Sequence, residues 1–160
     1  MPPRYSDTDI QRFIDEKKSI GDHFFSRFTM KDKRGHRERD IDVTGESGSR
    51  FRLILRQSKV NPLNFSLILA VFPMGSNQPF HLLRYNGKTH AHANKIEDES
   101  FYEFHIHRAT ERYQDRGMEE EAYAEATDRF NNFDSALVCL LEDGNFNVPD
   151  KLQLDLFRGR

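Results

Sequence analysis

The chain of 160 residues contains no tryptophan and a single cysteine, Cys139, so an intramolecular disulfide is excluded and a reducing compartment suits it. Cys139 reads as a buried thiol on a helix rather than a nucleophile. No apolar run reaches the length needed to span a bilayer, and Met1-Pro2-Pro3-Arg4 opens on polar sequence rather than a signal peptide. Internal repeats and low-complexity linkers are missing as well. These absences predict a soluble, cytoplasmic protein with no membrane partner. At this length a hydrophobic core forms without a staple, and a single domain over residues 1–160 is expected.

The formal charge of −2 hides an uneven distribution. From Arg27 to Lys59 there are ten Lys or Arg against five Asp or Glu; from Glu97 to Asp143 there are four against fourteen. Such asymmetry suits a basic surface for an anionic partner and an acidic one for a basic partner, or two segments that neutralise each other.

Hydrophobic periodicity predicts a first helix over Asp7 to Ser19, capped by Ser6 or Asp7, with Ile10, Phe13, Ile14 and Lys17 at helical spacing and Gly21 as its stop. Strands follow: His23 to Met30, a turn at Asp32 to Gly35, then His36 to Val43. In Arg50 to Arg56, Phe51, Leu53 and Leu55 share one face and Arg50, Arg52 and Arg56 the other, a half-buried strand with a basic stripe. Asn64 to Phe72 is almost unbroken apolar sequence, as in a central strand. Asn86-Gly87 predicts a two-residue hairpin joining Phe80–Tyr85 to Lys88–Ala93. Phe101 to His107 is another strand, with Tyr102, Phe104 and Ile106 on its apolar face. A helical turn at Ala109–Gln114 and an amphipathic helix over Asn132–Asp143, stopped by Gly144, complete the pattern. The expected architecture is α+β: an antiparallel sheet of five to seven strands flanked by N-terminal and C-terminal helices.

Function points to the histidines. His90-Ala91-His92 and His105-Ile106-His107 form two H-x-H pairs fifteen residues apart. Residues two apart on a strand project from one face, so each pair can present two imidazoles together. If Asn86-Gly87 closes the hairpin, Tyr85 faces Lys88, Leu83 faces His90 and His81 faces His92; pairing with Glu103–His107 would add the second pair and Glu103. A slip of one residue would send either pair to the opposite face. Strand histidines also serve as ordinary surface or hydrogen-bonded residues.

Two chemistries use such a cluster. In metal-independent phosphodiester cleavage one imidazole takes a proton from the attacking hydroxyl and another protonates the leaving oxygen. RNA supplies its own nucleophile, so no cofactor is required. His90, His92, His105 and His107 would share these roles, with Lys88, Arg84 or Arg108 on phosphate and Arg37, Arg39, Arg50, Arg52 and Arg56 along the polyanion. Alternatively, His90, His92, His105 and His107 could ligate zinc or another divalent transition metal such as iron, nickel or copper. A third reading is a non-enzymatic interaction module, with the acidic stretch Glu119–Asp128 facing a basic protein partner such as an antitoxin. The sequence does not specify an oligomeric state.

Family likenesses narrow these options. H-x-H followed by Glu97 is shared with cupins, but Gly87 lies too close to His90, Phe104 stands where a glycine is expected and no second motif follows. The stretch Arg84-Tyr85-Asn86-Gly87-Lys88-x-His90-x-His92-x-Asn94-Lys95-Ile96, then Phe101-Tyr102-x-Phe104-His105-Ile106-His107-x-Ala109-Thr110-Glu111-Arg112-Tyr113, resembles a prokaryotic family of small proteins without an established activity. Tyr123-Ala124-Glu125 and Thr127-Asp128-Arg129-Phe130 fit the same pattern, so the likeness runs from Leu82 to Leu141. The chain is also similar in tenor to toxins of the TumE type, which carry an Arg-Tyr-Asp-Asn-like segment and clustered histidines, though as His-His runs. That likeness implies a nucleic-acid-directed toxin or defence protein.

Overall fold

The structure, a computed structural model, describes residues 4–20, 29–89 and 91–147. His90, Gly21 and the part of the expected strand over 23–28 lie outside the described residues.

Helix α1 spans Asp7–Asp15; Ser6 is its cap, its hydroxyl accepting the Asp9 N–H at 3.0 Å. The sequence placed its end at Ser19, but the chain leaves helical geometry at Glu16. The reason is Lys18, which is fully buried and donates to the carbonyls of Phe13, Ile14, Glu16 and Gly144 at 2.5–3.0 Å. It closes the helix C-terminus from outside the helix. Burial pulls its pKa down to about 8. Lys18–Ser19 instead forms β1, a short parallel pair with β11, Phe146–Asn147 near the other end of the described chain.

Seven strands form one antiparallel sheet. In chain order these are β2 (Lys31–Asp32), β3 (His36–Thr44), β4 (Arg50–Ser58), β5 (Phe65–Val71), β6 (Phe80–Asn86), β9 (His105–Arg108) and β10 (Ala124–Ala126). Their spatial order is β10-β9-β6-β5-β4-β3-β2. Two further strands, β7 (His92–Asn94) and β8 (Glu99–Phe101), pair only with each other. Helix α2 is Glu111–Asp115, capped by Thr110; helix α3 is Phe133–Asp143, capped by Asn132 through a capping box and ended at Gly144. The class is α+β, as the sequence predicted.

One sheet face is apolar and carries the core. Phe51, Leu53 and Leu55 of β4, Leu67, Leu69 and Val71 of β5 and Leu83 and Tyr85 of β6 pack against Ile10 and Ile14 of α1 and Phe133, Leu137 and Leu140 of α3. Both terminal helices thus cover the same face, and Arg50, Arg52 and Arg56 of β4 and Arg84 and Asn86 of β6 are left on the other. Tyr102, expected in the core, is 51% exposed instead, because β8 ends at Phe101 and the chain does not enter β9 until His105. Tyr85 and Tyr113 are buried rather than available to stack on bases.

The expected hairpin at Asn86-Gly87 is not formed. The described residues of this segment, 88–89 and 91–93, do not pair with β6; β9 takes that place, pairing Arg84 with His107 and Asn86 with His105. Gly87 has no positive φ. Its need for glycine is different: its N–H donates to the Phe65 carbonyl at 3.0 Å, and a Cβ there would collide with the Leu63 carbonyl oxygen. The Asn-Gly signal marked a close backbone crossing rather than a type I′ turn.

Candidate functional site

Alternation along β6 would put His81 on the core face with Leu83 and Tyr85. A bulge prevents it: Leu69 pairs with Leu83, but Ala70 pairs with His81, leaving Leu82 as the extra residue. His81 therefore joins Arg84 and Asn86 on the outer face. The β6–β9 register adds His105 and His107 to that face.

His92, His105 and His107 converge. Their ring centroids lie 5.7 Å apart for His92–His105, 4.9 Å for His92–His107 and 4.8 Å for His105–His107. His105 and His107 are only 4% and 7% exposed, too deep for ordinary surface histidines. The hydrogen bonds fix each tautomer. His105 Nδ1–H donates to the Glu103 carbonyl at 2.9 Å and His107 Nδ1–H to the Glu121 carbonyl at 2.6 Å. Both Nε2 lone pairs then face the Asn86 amide nitrogen, at 3.5 and 3.2 Å. Asn86 is oriented by Arg84, whose Nε–H donates to Asn86 Oδ1 at 2.9 Å. Asn94 is pinned by both backbone groups of Ala124, at 2.6 and 2.9 Å, so its oxygen must face His92 Nε2–H at 2.8 Å. The His92 lone pair accordingly lies on Nδ1. Burial, then the neighbouring His105, pulls the His107 pKa down to about 3, against the Glu121 carbonyl bond that supports its charged form.

The opposite condition holds one step away. His81 Nδ1–H donates to Glu121 Oε1, and this bond raises the His81 pKa against the effect of burial. Burial works to raise Glu121 too, but the His81 bond and the charges of His81, Arg84 and His107 outweigh it and leave the carboxyl below its ordinary value. Arg84 Nη1 stands 3.9 Å from the same oxygen. Glu121 belongs to a 3₁₀ turn, Glu120–Ala122, that packs on β6 and β9. A cleft of about 420 Å³ opens beside it, lined by His92, Lys95, Met118 and Glu121 among others.

The sequence-predicted residues separate into three groups. His92, His105, His107 and Arg84 come together; His90 lies outside the described residues. Lys88 is exposed beyond the end of β6, and no hydrogen bond or ion pair joins its side chain to the described histidines. The basic residues do not form one track. Arg50, Arg52 and Arg56 do share the outer face, but Arg52 is bonded to Asp42 at 2.7 Å and Arg56 to Glu38 at 3.3 Å across β3–β4, while Arg50 stacks over Phe72 at 4.7 Å. Arg37 and Arg39 align with Gln57 and Leu55 on the other face, where Arg37 donates to Gln57 at 2.7 Å. Arg108 also projects to the helix side, bonded to Gln11. Glu103 lines a cleft there, and joins the histidines through its backbone carbonyl alone.

Three members were missed as site residues by sequence reasoning: Asn86, Asn94 and Glu121. His81 was expected on the histidine face opposite His92, but reaches the outer face through the bulge rather than a hairpin. Asn86 reads as a turn residue, and Glu121 sits in an acidic run that reads as solvated surface. As for metal, among the described residues no three His, Cys, Asp or Glu side chains are arranged to hold one ion. Two convergent Nε2 donors, on His105 and His107, are present.

Comparison of the chain with family models, curated proteins and solved structures gives no match in any of the three.

Proposed function

We propose that the outer face of β6 and β9 cleaves RNA by metal-independent acid–base chemistry, in a toxin or defence setting. The observation that supports this most is a pair of imidazoles shifted in opposite directions on one sheet face, His81 toward its charged form by the Glu121 carboxylate and His107 toward its neutral form by burial, with Arg84 Nη1 3.9 Å from that carboxylate. The roles differ from an even division among the H-x-H pairs. A histidine with a pKa near 3 is a poor proton carrier at neutral pH. His107 therefore serves as a neutral scaffold, and with His105 aims Asn86 and through it Arg84.

His92, lining the cleft with its lone pair on Nδ1, takes the proton of the ribose 2′-hydroxyl. The 2′-oxygen attacks phosphorus, Arg84 stabilises the charge on the phosphorane, and protonated His81 gives its Nε2 proton to the departing 5′-oxygen. The products are a 2′,3′-cyclic phosphate and a 5′-hydroxyl, with His92 charged and His81 neutral until a proton exchange resets them. The looser likeness to TumE-type toxins, through an Arg-Tyr-Asp-Asn-like segment and clustered histidines, supports a nucleic acid as the substrate class.

The test is cleavage of a defined RNA oligonucleotide in excess chelator by wild type and by Arg84→Gln, His81→Ala and His92→Ala. Cleavage that resists chelator and falls at least a hundredfold in each variant is the expected result. A transition-metal site is a second reading, supported by the two Nε2 donors whose Nδ1–H groups are tied to carbonyls, the arrangement that orients metal-bound imidazoles. It requires the Asn86 amide to turn away. Stoichiometric metal in untagged protein, lost in His105→Ala, would favour it over the first.

A further inference from the structure

We infer that His81 and Arg84 form a phosphate cradle in which the protein's own Glu121 carboxylate is the resident occupant, so that substrate phosphate docks by displacing it. The inference rests on the phosphodiester reading above and names the step that reading leaves open: where the anion binds and what holds the place before it arrives.

Two side-chain donors converge there. His81 Nδ1–H is taken by Glu121 Oε1, and the Arg84 Nη1 end stands 3.9 Å from that same oxygen, while the His81 backbone N–H is taken by the neighbouring Glu120 Oε1 at 3.3 Å. An imidazole N–H and a guanidinium aimed at one carboxylate oxygen are parts from which phosphate sites are built. Arg84 gives its Nε–H to Asn86, which leaves its Nη end for the anion. The three side chains concerned are 21–34% exposed, so the volume is sheltered yet open to solvent.

The occupant is built to leave. Glu121 holds His107 through its backbone carbonyl and His81 through its side chain. Rotation of the Glu121 side chain alone frees His81 Nδ1–H and the Arg84 Nη end, with the His81 backbone N–H still on Glu120, while the 3₁₀ turn stays bonded to β9. The adjoining cleft of about 420 Å³ provides room for it. A tethered carboxylate competes at high effective concentration, so a single free phosphate is disfavoured and a chain of phosphates, as in RNA, wins by multiple contacts. The ligand chemistry is thus a phosphate group, whether free or in a nucleic-acid backbone.

The experiment titrates inorganic phosphate, and separately a DNA oligonucleotide that lacks the 2′-hydroxyl, into wild type and Glu121→Gln at pH 5.5, following the His81 imidazole by NMR. Glutamine keeps the length and the hydrogen-bond acceptor but removes the charge. Expected is at least tenfold tighter binding of both probes by Glu121→Gln, lost again in Glu121→Gln/Arg84→Gln. A gain for the oligonucleotide only, still lost with Arg84→Gln, assigns the cradle to polymer phosphates and also supports the inference. Equal affinity of wild type and Glu121→Gln for both probes, with the fold intact by amide spectra, overturns it. Should Glu121→Gln fail to fold, Glu121→Asp, which keeps the charge on a side chain one methylene shorter, takes its place, and unchanged affinity there counts against the inference. Tighter phosphate binding with no RNA cleavage upholds the cradle and removes the ribonuclease reading; RNA cleavage with no effect of Glu121 on binding does the reverse.

Discussion

His81 and His107 are joined through one residue: the Glu121 side chain accepts from His81 Nδ1–H, and the Glu121 backbone carbonyl accepts from His107 Nδ1–H at 2.6 Å. A carboxylate favours the charged imidazole on one side. On the other, the carbonyl fixes a tautomer whose Nε2 faces the Asn86 amide, where a second proton would meet another donor. One short turn thus contacts both histidines, its carboxylate raising the His81 pKa while burial, against the turn's own carbonyl, lowers that of His107.

Stability should respond to pH in opposite directions at these two histidines. The folded His107 pKa, about 3, lies below the ordinary imidazole value of about 6.5, so in that window the unfolded chain binds a proton the folded chain refuses. Its contribution is full above about pH 6.5 and is lost as pH falls toward 3. His81 is raised, so its contribution is full below the ordinary value and is lost as pH rises through the folded one. Urea denaturation from pH 4.5 to 8.5 measures both. His107→Gln should flatten the acid side of the profile and His81→Gln the alkaline side; an unchanged acid limb in His107→Gln would show that the buried imidazole is not its source.

Asn86 serves three side chains at once, accepting from Arg84 and donating toward His105 and His107. Asn86→Ala should cost about 1–3 kcal/mol, the range for leaving buried polar partners unsatisfied. Asn86→Asp should raise the His107 pKa, because a carboxylate favours a second imidazole proton that the amide repels. Histidine proton NMR titration reads that shift, and a His107 that stays neutral to the same pH would contradict the network.

Asn94 attaches the β7–β8 arm to the sheet through two bonds to the Ala124 backbone. It is 1% exposed, so Asn94→Ala should leave both Ala124 groups unsatisfied and cost about 2 kcal/mol or more. Amide exchange should accelerate over 92–101 before the rest of the sheet. Uniform acceleration across β4 and β5 would mean that the arm is not a separately held unit.

Much of this fold was legible in the sequence. The alternation Phe51, Leu53, Leu55 against Arg50, Arg52, Arg56 gave β4 its two faces, and the apolar run through Leu67–Val71 gave the central strand. Caps at Ser6 and Asn132 follow from side chains that accept backbone N–H groups at helix starts. The H-x-H spacing puts His105 and His107 on one face, but His92 reaches them from the separate β7–β8 pair rather than through the expected hairpin. What could not be read was set by tertiary structure: the bulge at Leu82 that turns His81 outward, the return of β9 in place of Lys88–Ala93, and the inward use of Glu121 from an acidic run. Pairing of Asp42 with Arg52 and of Glu38 with Arg56 depends on the β3–β4 register, which charge counts do not specify.

Those pairs carry their own prediction. Exposed ion pairs contribute little, so Arg52→Gln and Arg56→Gln should each change stability by less than about 1 kcal/mol. If β4 does not track the nucleic-acid backbone, RNA affinity should fall less than threefold in either variant while Arg84→Gln loses at least tenfold. Filter binding at fixed salt makes the comparison, and a larger loss at Arg52 or Arg56 would restore β4 to the binding surface.

The most direct test is the chemistry of the cut ends. An oligonucleotide of DNA with one ribonucleotide is incubated with the protein in excess chelator, and the products are resolved by mass spectrometry. Attack by the 2′-hydroxyl, aided by His92 and His81, predicts cleavage at the ribonucleotide alone, with a 2′,3′-cyclic phosphate and a 5′-hydroxyl, abolished in His81→Ala. Cleavage that requires added metal and leaves a 5′-phosphate, or no cleavage at any pH between 5 and 8, would contradict the assignment.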